Sequence, residues 1–317
     1  MINWGINALN HGSSLTVFKD GEFISNTINS EEELDSQTIV QALHIGAPDR
    51  IFWYEQPWLK KLRQAKAGQW DQVFDFKILP QAYLNRIRVH YAPVTYTAHH
   101  ASHAAAGYYT SPFNHCAVVV LDAIGEFECA TIWEGKHGEL KKVWSASYPN
   151  SLGLYYSAFT KMLGMTPIQD EYLLQQMAKK GDPKRFRSSI DLYFKKDGLI
   201  SVDYNFHRGV GNWSCENWSE QEKFDLAAAV QERFEIEVGK VMYLAKKLTN
   251  ADCLVYMGGC AMNSQANANE VEPKFKYRWT LPNPGDPSSS IGAVLYHTQQ
   301  RVRDKDFGVV KHMKVSV

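Results

Sequence analysis

The second half of the chain opens with Cys116-Ala-Val-Val-Val-Leu-Asp122-Ala-Ile-Gly125-Glu126, an apolar run that ends in an acidic residue. A short continuous apolar run of this kind predicts a buried strand. Because Asp122 follows that strand directly, we expect its carboxylate to face a cleft rather than a core. The same order begins the chain, where Ile2 to Ala8 predicts a strand and Asn10-His-Gly-Ser-Ser14 a polar turn into a hairpin. The sequence therefore contains the same order of elements twice, in two successive rounds of one structural pattern.

Strands and helices alternate through both rounds. The first continues with strands predicted at Arg50 to Tyr54 and Val94 to Thr97, and the second with a strand at Cys253 to Tyr256. The stretch from Glu220 to Leu248 has apolar residues at helical spacing and predicts a long helix that packs on a core. This order predicts an α/β protein with the duplicated actin-like ATPase fold, in which two lobes flank a central cleft.

The length of the chain also fits two lobes, because 317 residues are too many for one small core. We expect residues 1–114 to form the first actin-like lobe and residues 115–317 the second. A helical and aromatic segment at 165–220 is predicted as an insertion in the second lobe. Oligomeric state is left open, since the long helix could face either a core or a twin subunit.

The composition excludes several classes of protein. With 44% hydrophobic and 21% charged residues, the chain is ordinary for a globular protein, and no apolar run reaches the ~20 residues of a membrane span. The N-terminus lacks the pattern of a secretory signal, and five scattered cysteines without a C-x-x-C pair indicate reduced thiols. We therefore expect a cytoplasmic protein without a membrane partner. A net charge of zero gives no global field that would recruit nucleic acid.

A histidine-rich helix is predicted between the two rounds, in Thr97-Ala-His-His-Ala-Ser-His-Ala-Ala-Ala-Gly-Tyr-Tyr-Thr-Ser-Pro112. Because His99 and His103 are four residues apart, both imidazoles share one helix face, whereas His100 points elsewhere. Two neutral nitrogens at this spacing can converge on one metal ion. The alternative is a helix whose histidines cap its first turn or face solvent. The nearby acidic strand end at Asp122 favours the metal site.

Three turns have the composition of a nucleotide site. In the actin-like fold, the loops at His11 to Ser14 and Asp122 to Glu126 offer backbone N–H groups and polar side chains to phosphate. Glycine at Gly258 and Gly259 lets the backbone approach an adenosine where a Cβ would collide. The alternative for this glycine pair is a tight turn from strand to helix.

Ordered motifs along nearly the whole chain carry a family resemblance: Gly5-Ile-Asn-Ala-Leu-Asn-His-Gly-Ser-Ser14, Phe52-Trp-Tyr-Glu-Gln-Pro57, His99-His-Ala-Ser-His103, Asp122-Ala-Ile-Gly-Glu126, Asn150-Ser-Leu-Gly-Leu-Tyr-Tyr156, Asp225-Leu-Ala-Ala-Ala-Val-Gln231, Gly258-Gly-Cys-Ala-Met-Asn263 and Gly285-Asp286. Together they resemble the O-carbamoyltransferases of antibiotic and nodulation-factor biosynthesis. More distantly, they are similar to the domain that transfers threonylcarbamoyl to tRNA adenosine.

The resemblance implies a metal-dependent transfer of a carbamoyl group to a hydroxyl. By it, the metal ligands are His99, His103, Asp122 and Asp286, with Fe²⁺ favoured and Mn²⁺ as the alternative. A mixed set of imidazoles and carboxylates suits either ion. The implied donor is carbamoyl adenylate, formed from carbamoyl phosphate and ATP and held in the cleft.

The same resemblance assigns roles to further residues. His11 is the candidate for orienting the carbamoyl group or accepting the acceptor proton, and His100 is a second candidate for contacting the donor. Alternatively, His11 only shapes its turn. Contacts with the nucleotide are expected from Ser13, Ser14, Gly125, Glu126, Gly258, Gly259 and Asn263.

Two departures from the family pattern affect the expected partners. Larger members carry a C-terminal YrdC-like domain that makes carbamoyl adenylate, and no such domain is expected in this chain. A separate protein that forms carbamoyl adenylate is therefore an expected partner. The alternatives are another use of carbamoyl phosphate, or an inactive relic, which the intact ligand set disfavours. The other departure is Asp170 to Pro183, where the family loop that shapes the acceptor side is rewritten.

The acceptor favoured by the resemblance is 5-hydroxymethylcytosine in DNA, because compact relatives are associated with phage DNA modification. The basic segment Lys179 to Arg187 could bind phosphates, and aromatic residues from Tyr204 to Trp218 could stack an extruded base. Alternatively, these aromatic residues pack in the core, and the acceptor is the hydroxyl of a nucleotide, sugar or antibiotic. An actin-like kinase or ATPase and a non-catalytic partner subunit are the hypotheses from other classes. The histidine pair disfavours a kinase, which uses Mg²⁺ with carboxylates and water.

Overall fold

The structure, a computed structural model, describes residues 1–195, 198–211 and 213–302, and the backbone of a two-residue strand after them. Its first sheet contains β1 (Ile2–Asn10), β2 (Gly12–Lys19), β3 (Glu22–Asn29), β4 (Arg50–Trp53) and β5 (Val94–Tyr96). Its second sheet contains β6 (His115–Leu121), β7 (Glu128–Lys136), β8 (Glu139–Ser147), β9 (Cys253–Met257), β10 (Tyr277–Trp279) and β11 (Lys311–His312).

Both sheets have the same strand order. The first runs β3-β2-β1-β4-β5 and the second β8-β7-β6-β9-β10, with β11 added at its far edge. In each sheet the three hairpin strands pair antiparallel and the next two pair parallel. The duplicated α/β pattern that the sequence predicted is confirmed.

The helices are α1 (Ser36–Ile45), α2 (Pro57–Ala67), α3 (Trp70–Phe74), α4 (Pro80–Arg86), α5 (His99–Thr110), α6 (Leu152–Met162), α7 (Glu171–Ala178), α8 (Arg187–Asp191), α9 (Glu220–Thr249), α10 (Ser264–Ala266) and α11 (Ser289–Thr298). The predicted long helix is α9, which starts with a capping box of Ser219 and Glu222 and packs on β6 and β7. Among the residues that the structure describes, no helix combines the length and hydrophobicity needed to cross a bilayer.

Helix α11 lies late in the chain but packs on β1 and β4 of the first sheet and against α5. Two glycines permit this close approach. A Cβ at Gly5 would lie 2.0 Å from the carbonyl oxygen of Ser290, and a Cβ at Gly292 would lie 1.8 Å from that of Ser102. The division of the chain at residue 114 stays a prediction. Although α11 belongs to the second predicted lobe by sequence, it packs on the first sheet.

The turn between β1 and β2 is tighter than predicted. The sequence suggested a polar loop from His11 to Ser14, but β2 already begins at Gly12, and Asn10 pairs with Gly12. Positive φ angles at Leu9 (69°) and Gly12 (75°) reverse the chain around a single exposed residue, His11. Ser13 and Ser14 are therefore buried strand residues.

Candidate metal centre

Four side chains from three parts of the chain meet between the two sheets. His99 and His103 lie one turn apart on α5, Asp122 follows β6, and Asp286 precedes α11. Both histidines and Asp286 are buried, and Asp122 is nearly so. The ligands predicted from the sequence are thus brought together. Their role as metal ligands stays a prediction.

The separations between these atoms fit ligands of one ion. The Nε2 atom of His99 lies 3.1 Å from Nε2 of His103 and 3.1 Å from Oδ2 of Asp122. The Nε2 atom of His103 lies 3.2 Å from Oδ1 of Asp286, and the four ligand atoms lie within 4.8 Å of one another. Atoms bound at ~2.1 Å to one ion are about 3.0 to 3.4 Å from their neighbours. The residues therefore fit a divalent cation.

The electrostatics of the cluster favour positive charge. Burial opposes protonation of His99, but the carboxylates of Asp286 and Asp122 outweigh it and hold the pKa of His99 well above its usual value. Burial also opposes ionisation of Asp122, yet its hydrogen bonds with His103 and His99 hold its pKa well below the usual range. Both carboxylates thus stay ionised in a buried site, where the two imidazoles offset their charge by holding protons. A bound cation would take over that role as it displaces the ring protons.

Each carboxylate is oriented by a donor on its second oxygen. Oδ1 of Asp122 accepts hydrogen bonds from the backbone N–H groups of Ala123 at 2.8 Å and Gly259 at 3.3 Å. Oδ2 of Asp286 accepts one from Nδ2 of Asn10 at 2.7 Å. One oxygen of each carboxylate is therefore anchored while the other faces the imidazoles, which is the usual arrangement of outer partners around a metal site.

Glu126 anchors the start of the histidine helix. Its carboxylate accepts hydrogen bonds from the backbone N–H of Gln56 at 2.7 Å and of His99 at 3.0 and 3.1 Å. The residue that precedes α5, Ala98, makes no side-chain cap, so Glu126 satisfies an N–H that the helix leaves free. Burial raises the pKa of Glu126, and the charge of His99 opposes that rise. Glu126 therefore fixes the backbone of a predicted ligand.

A family model described as Carbamoyltransferase N-terminus matches residues 54–295, which include the predicted ligands. The chain belongs to this family. The match covers most of the chain and confirms the resemblance noted in the sequence.

Several curated proteins are similar over part of their length. The chain is 34% identical over 225 residues to Uncharacterized protein sll1178 of Synechocystis, covering 64% of this chain and 36% of that protein. It is 26% identical over 213 residues to Nodulation protein NolNO of Sinorhizobium fredii, covering 64% of this chain and 31% of that protein. It is 27% identical over 207 residues to Nodulation protein NolO of Bradyrhizobium diazoefficiens, covering 62% and 37%. The chain thus spans about a third of the length of these relatives.

Solved structures are similar across the fold. The (R)-2-hydroxyglutaryl-CoA dehydratase component A of Acidaminococcus fermentans superposes with a TM-score of 0.51 at 13% identity, covering 94% of this chain and 99% of that chain. At this identity the similarity concerns the fold alone. It confirms the predicted actin-like ATPase fold.

The two predicted catalytic histidines have different surroundings. His11 is exposed in the turn beside Asn10, which contacts Asp286. His100 is buried, and its Nδ1 lies 3.1 Å from Oγ1 of Thr131 on β7. Burial holds the pKa of His100 well below its usual value, so the ring is neutral. His100 is directed towards β7, whereas His11 is open to solvent, and both roles stay predictions.

Several residues that were predicted to contact the nucleotide make contacts within the protein itself. Gly258 adopts a φ of 89°, and a Cβ there would lie 2.2 Å from the carbonyl oxygen of Leu121, so glycine is needed for the turn itself. The amide of Asn263 exchanges two hydrogen bonds of 3.0 Å with Gln231 and also caps α10. A Cβ at Gly125 would contact the His99 ring at 3.1 Å. These residues have structural roles, and their contact with adenosine stays a prediction.

Ser13 and Ser14, two further predicted contacts, lie inside the first sheet. Both are buried in β2, and neither has a hydrogen-bond partner within the described part of the chain. A buried hydroxyl without a partner costs free energy, so a bound polar group would satisfy it. Because adjacent residues of a strand point to opposite faces of the sheet, the two hydroxyls cannot both face one ligand, and the role of the serines in binding phosphate stays a prediction.

The basic and aromatic segments do not form one open surface. Arg185 pairs with Glu222 at 2.5 Å and Arg187 with Glu232 at 2.6 Å. Trp218 stacks on Phe186 with ring centroids 5.0 Å apart, within a half-buried aromatic cluster. The aromatic residues therefore pack against the hydrophobic core that the second sheet forms with α6 and α9, which was the alternative interpretation of their sequence. Binding of DNA stays a prediction.

Asn10 is the residue at this site that the sequence analysis missed. We expect Asn10→Ala to weaken binding of Mn²⁺ by about 10- to 100-fold, because the freed carboxylate of Asp286 can rotate away from the imidazoles. Calorimetric titration of the purified protein with Mn²⁺ measures the change. Asn205→Ala is the control, since Asn205 donates to Tyr148 and touches none of the four ligands. Equal affinities of the two variants would contradict the anchoring role.

Proposed function

We propose that this chain supplies the lobe pair in which a carbamoyl group is transferred to an acceptor hydroxyl, with a divalent cation held by His99, His103, Asp122 and Asp286. The convergence of these four side chains carries the proposal, because no backbone element needs two buried imidazoles and two buried carboxylates for packing alone. Membership of the carbamoyltransferase family supports the reaction class.

The proposed donor is carbamoyl adenylate, formed from carbamoyl phosphate and ATP by a separate protein. The acceptor oxygen bonds to the carbamoyl carbon, the bond from that carbon to the phosphate oxygen breaks, and AMP leaves with the electron pair. Bound Fe²⁺, or Mn²⁺ in its place, would supply stabilisation of negative charge on the phosphate oxygens.

The residues of the chain hold the reactants and move the proton. His11, the exposed residue that follows the Asp286 partner Asn10, accepts the proton of the acceptor hydroxyl as the new bond forms. Of the unpartnered hydroxyls of Ser13 and Ser14, which point to opposite faces of the first sheet, one donates to the phosphate of the donor. Gly258 and Gly259 shape the turn where adenosine would lie, and Glu126 holds the histidine helix in place.

The favoured acceptor is 5-hydroxymethylcytosine in DNA. In support, Lys179 and Lys180 are exposed within the rewritten segment and Lys184 directly after it, and none of the three forms an ion pair within the described residues. These three lysines could neutralise phosphates, whereas Arg185 and Arg187 are already paired. A nucleotide, sugar or antibiotic hydroxyl is the alternative acceptor.

Mass spectrometry tests the proposal. The protein is incubated with Mn²⁺ or Fe²⁺, preformed carbamoyl adenylate, and either DNA containing 5-hydroxymethylcytosine or free hydroxylated nucleosides. We expect a carbamoyl mass gain on DNA that His103→Ala abolishes. A carbamoyl mass gain on free nucleosides alone would support carbamoyl transfer but contradict DNA as the acceptor. In a parallel incubation with ATP in place of carbamoyl adenylate, release of phosphate from ATP, combined with no transfer from carbamoyl adenylate to any acceptor, would support an actin-like ATPase instead.

A further inference from the structure

Two arginines are buried among the described residues, and they differ in how their charge is offset. Arg278 on β10 is 7% exposed, and its Nη2 lies 4.0 Å from Oε1 of Glu272. Arg63 on α2 is 6% exposed, and it forms no ion pair with a carboxylate of the described residues. A guanidinium keeps its proton inside a protein, so Arg63 is a buried positive charge without an anion.

One edge of the Arg63 guanidinium is free to bind an oxyanion. Its one hydrogen bond within the described residues runs from Nη1 to Oε1 of Gln69 at 2.8 Å. Nε is buried without a partner, and Nη2 makes no hydrogen bond there either. Nε and Nη2 form the edge that donates two parallel bonds to a carboxylate or phosphate. Arg187 uses this edge, since its Nε and Nη2 donate to the two carboxylate oxygens of Glu232 at 2.6 Å.

Arg63 lies where α2 meets the second sheet. Burial lowers the pKa of Arg63, and the nearby groups of Glu55, Tyr148 and Cys129 oppose this shift. Cys129 belongs to β7 and Tyr148 follows β8, so the second sheet approaches Arg63 from two strands. The start of α2 is held beside the histidine helix by Glu126. Arg63 is therefore on a helix that begins at the candidate metal centre and borders both sheets.

The surroundings of Arg63 favour phosphate as the missing anion. The carboxylate of Glu55 already accepts a hydrogen bond from Nζ of Lys60 at 2.8 Å. Lys66, one helical turn after Arg63, is exposed, and its Nζ lies 6.0 Å from the centre of the Phe127 ring. Two cations on one helix face exceed the charge of a carboxylate, whereas a phosphate monoester carries about two negative charges. A phosphate group therefore matches both the open edge and the charge.

We propose that Arg63 and Lys66 form a phosphate-binding site for a nucleotide, at the boundary between α2 and the second sheet. Nε and Nη2 of Arg63 donate to two oxygens of one phosphate group, and Nζ of Lys66 donates to a third. The adenylate of the donor and a nucleotide acceptor share this chemistry. The site does not depend on the proposed carbamoyl transfer, because binding of phosphate requires no reaction.

Calorimetric titration of the full, metal-free chain with inorganic phosphate tests the site. At constant ionic strength, Arg63→Met should raise the dissociation constant of phosphate by at least about 10-fold, because two charge-assisted hydrogen bonds are lost. Without phosphate, the melting temperature of Arg63→Met should not fall, since an apolar side chain replaces a buried charge that has no anion. Arg63→Lys keeps the charge but lacks the two-point edge, so its dissociation constant should lie between those of Arg63→Met and the wild type.

Arg278→Met is the matched control, because it removes a guanidinium that is equally buried but lies on β10. Its affinity for phosphate should equal that of the wild type. Equal affinities of Arg63→Met and Arg278→Met for phosphate overturn the inference. So does acetate that binds the wild type as tightly as phosphate does, because the site would then select a carboxylate. If Arg63→Met does not fold, Arg63→Lys provides the same comparison.

Titrations with AMP, 5-hydroxymethyldeoxycytidine 5′-monophosphate and the corresponding nucleoside identify the source of the phosphate. A loss of affinity in Arg63→Met for AMP alone assigns the site to the donor, and a loss for the hydroxymethylated nucleotide alone assigns it to the acceptor. The nucleoside should bind both proteins equally, and an equal loss for nucleoside and nucleotide would contradict a phosphate contact. A protein that binds phosphate through Arg63 but transfers no carbamoyl group would reject the proposed function and retain the site.

Discussion

His103→Ala is expected to lower the affinity for Mn²⁺ or Fe²⁺ by more than about 100-fold, beyond the effect of removing an outer partner. The imidazole Nε2 of His103 lies 3.2 Å from Asp286 and 3.5 Å from Asp122, so it stands between the two carboxylates. Without it, the cation loses one of four protein ligands. The two buried carboxylates also lose a hydrogen-bonding partner.

His100→Ala is the control that separates metal binding from packing. His100 lies on the same helix and is as buried as His103, but its ring is directed to Thr131. Both substitutions remove a buried imidazole and leave a similar cavity, so both should lower the free energy of unfolding. Only His103→Ala should remove the metal. Anaerobic titration with Fe²⁺, and with Mn²⁺ followed by electron paramagnetic resonance, measures the affinity directly.

Asp122→Asn distinguishes the charge from the shape of the ligand. An asparagine oxygen can still accept the backbone hydrogen bonds from Ala123 and Gly259 that hold Asp122 in place. The fold is therefore expected to survive, while the loss of one negative charge weakens cation binding. An active, metal-loaded His103→Ala protein would falsify the assignment of the cluster.

The duplicated fold and the four ligands were accessible from the sequence for a simple reason. A local pattern, an apolar run followed by a polar residue, identifies the strand Cys116 to Leu121 and the position of Asp122. The spacing of His99 and His103 equals one helical turn. The motif resemblance then supplied Asp286, which no local pattern would connect to the helix.

The supporting contacts could not be predicted, because they join distant parts of the chain. Asn10 donates a hydrogen bond to Asp286, which lies 276 positions later in the chain. Glu126 accepts one from the backbone N–H of Gln56, which lies 70 positions earlier. The shortened turn at His11 depends on a positive φ at Leu9, an apolar residue that gives no signal for it. Sequence patterns report which face of an element is buried, whereas these features depend on how the two sheets are placed.

Glu126 provides the second large expected effect, because two roles for it predict different results. As a nucleotide contact, Glu126 would face the ligand, and its loss would weaken nucleotide binding without changing stability. As the anchor of α5, it satisfies the N–H groups of Gln56 and His99. Glu126→Ala should then lower the free energy of unfolding by about 2 to 4 kcal/mol, since each buried amide left without a partner costs about 1 to 3 kcal/mol.

Chemical denaturation of the metal-free protein measures this loss, and Glu126→Gln refines it. The glutamine keeps one carbonyl oxygen at the start of α5 but loses the charge that favours a helix N-terminus. We expect it to lose about 1 kcal/mol, clearly less than the alanine variant. Because His99 follows the helix terminus that Glu126 holds, Glu126→Ala should also weaken Mn²⁺ binding. Unchanged stability with weaker nucleotide binding would instead return Glu126 to the role that the family resemblance implied.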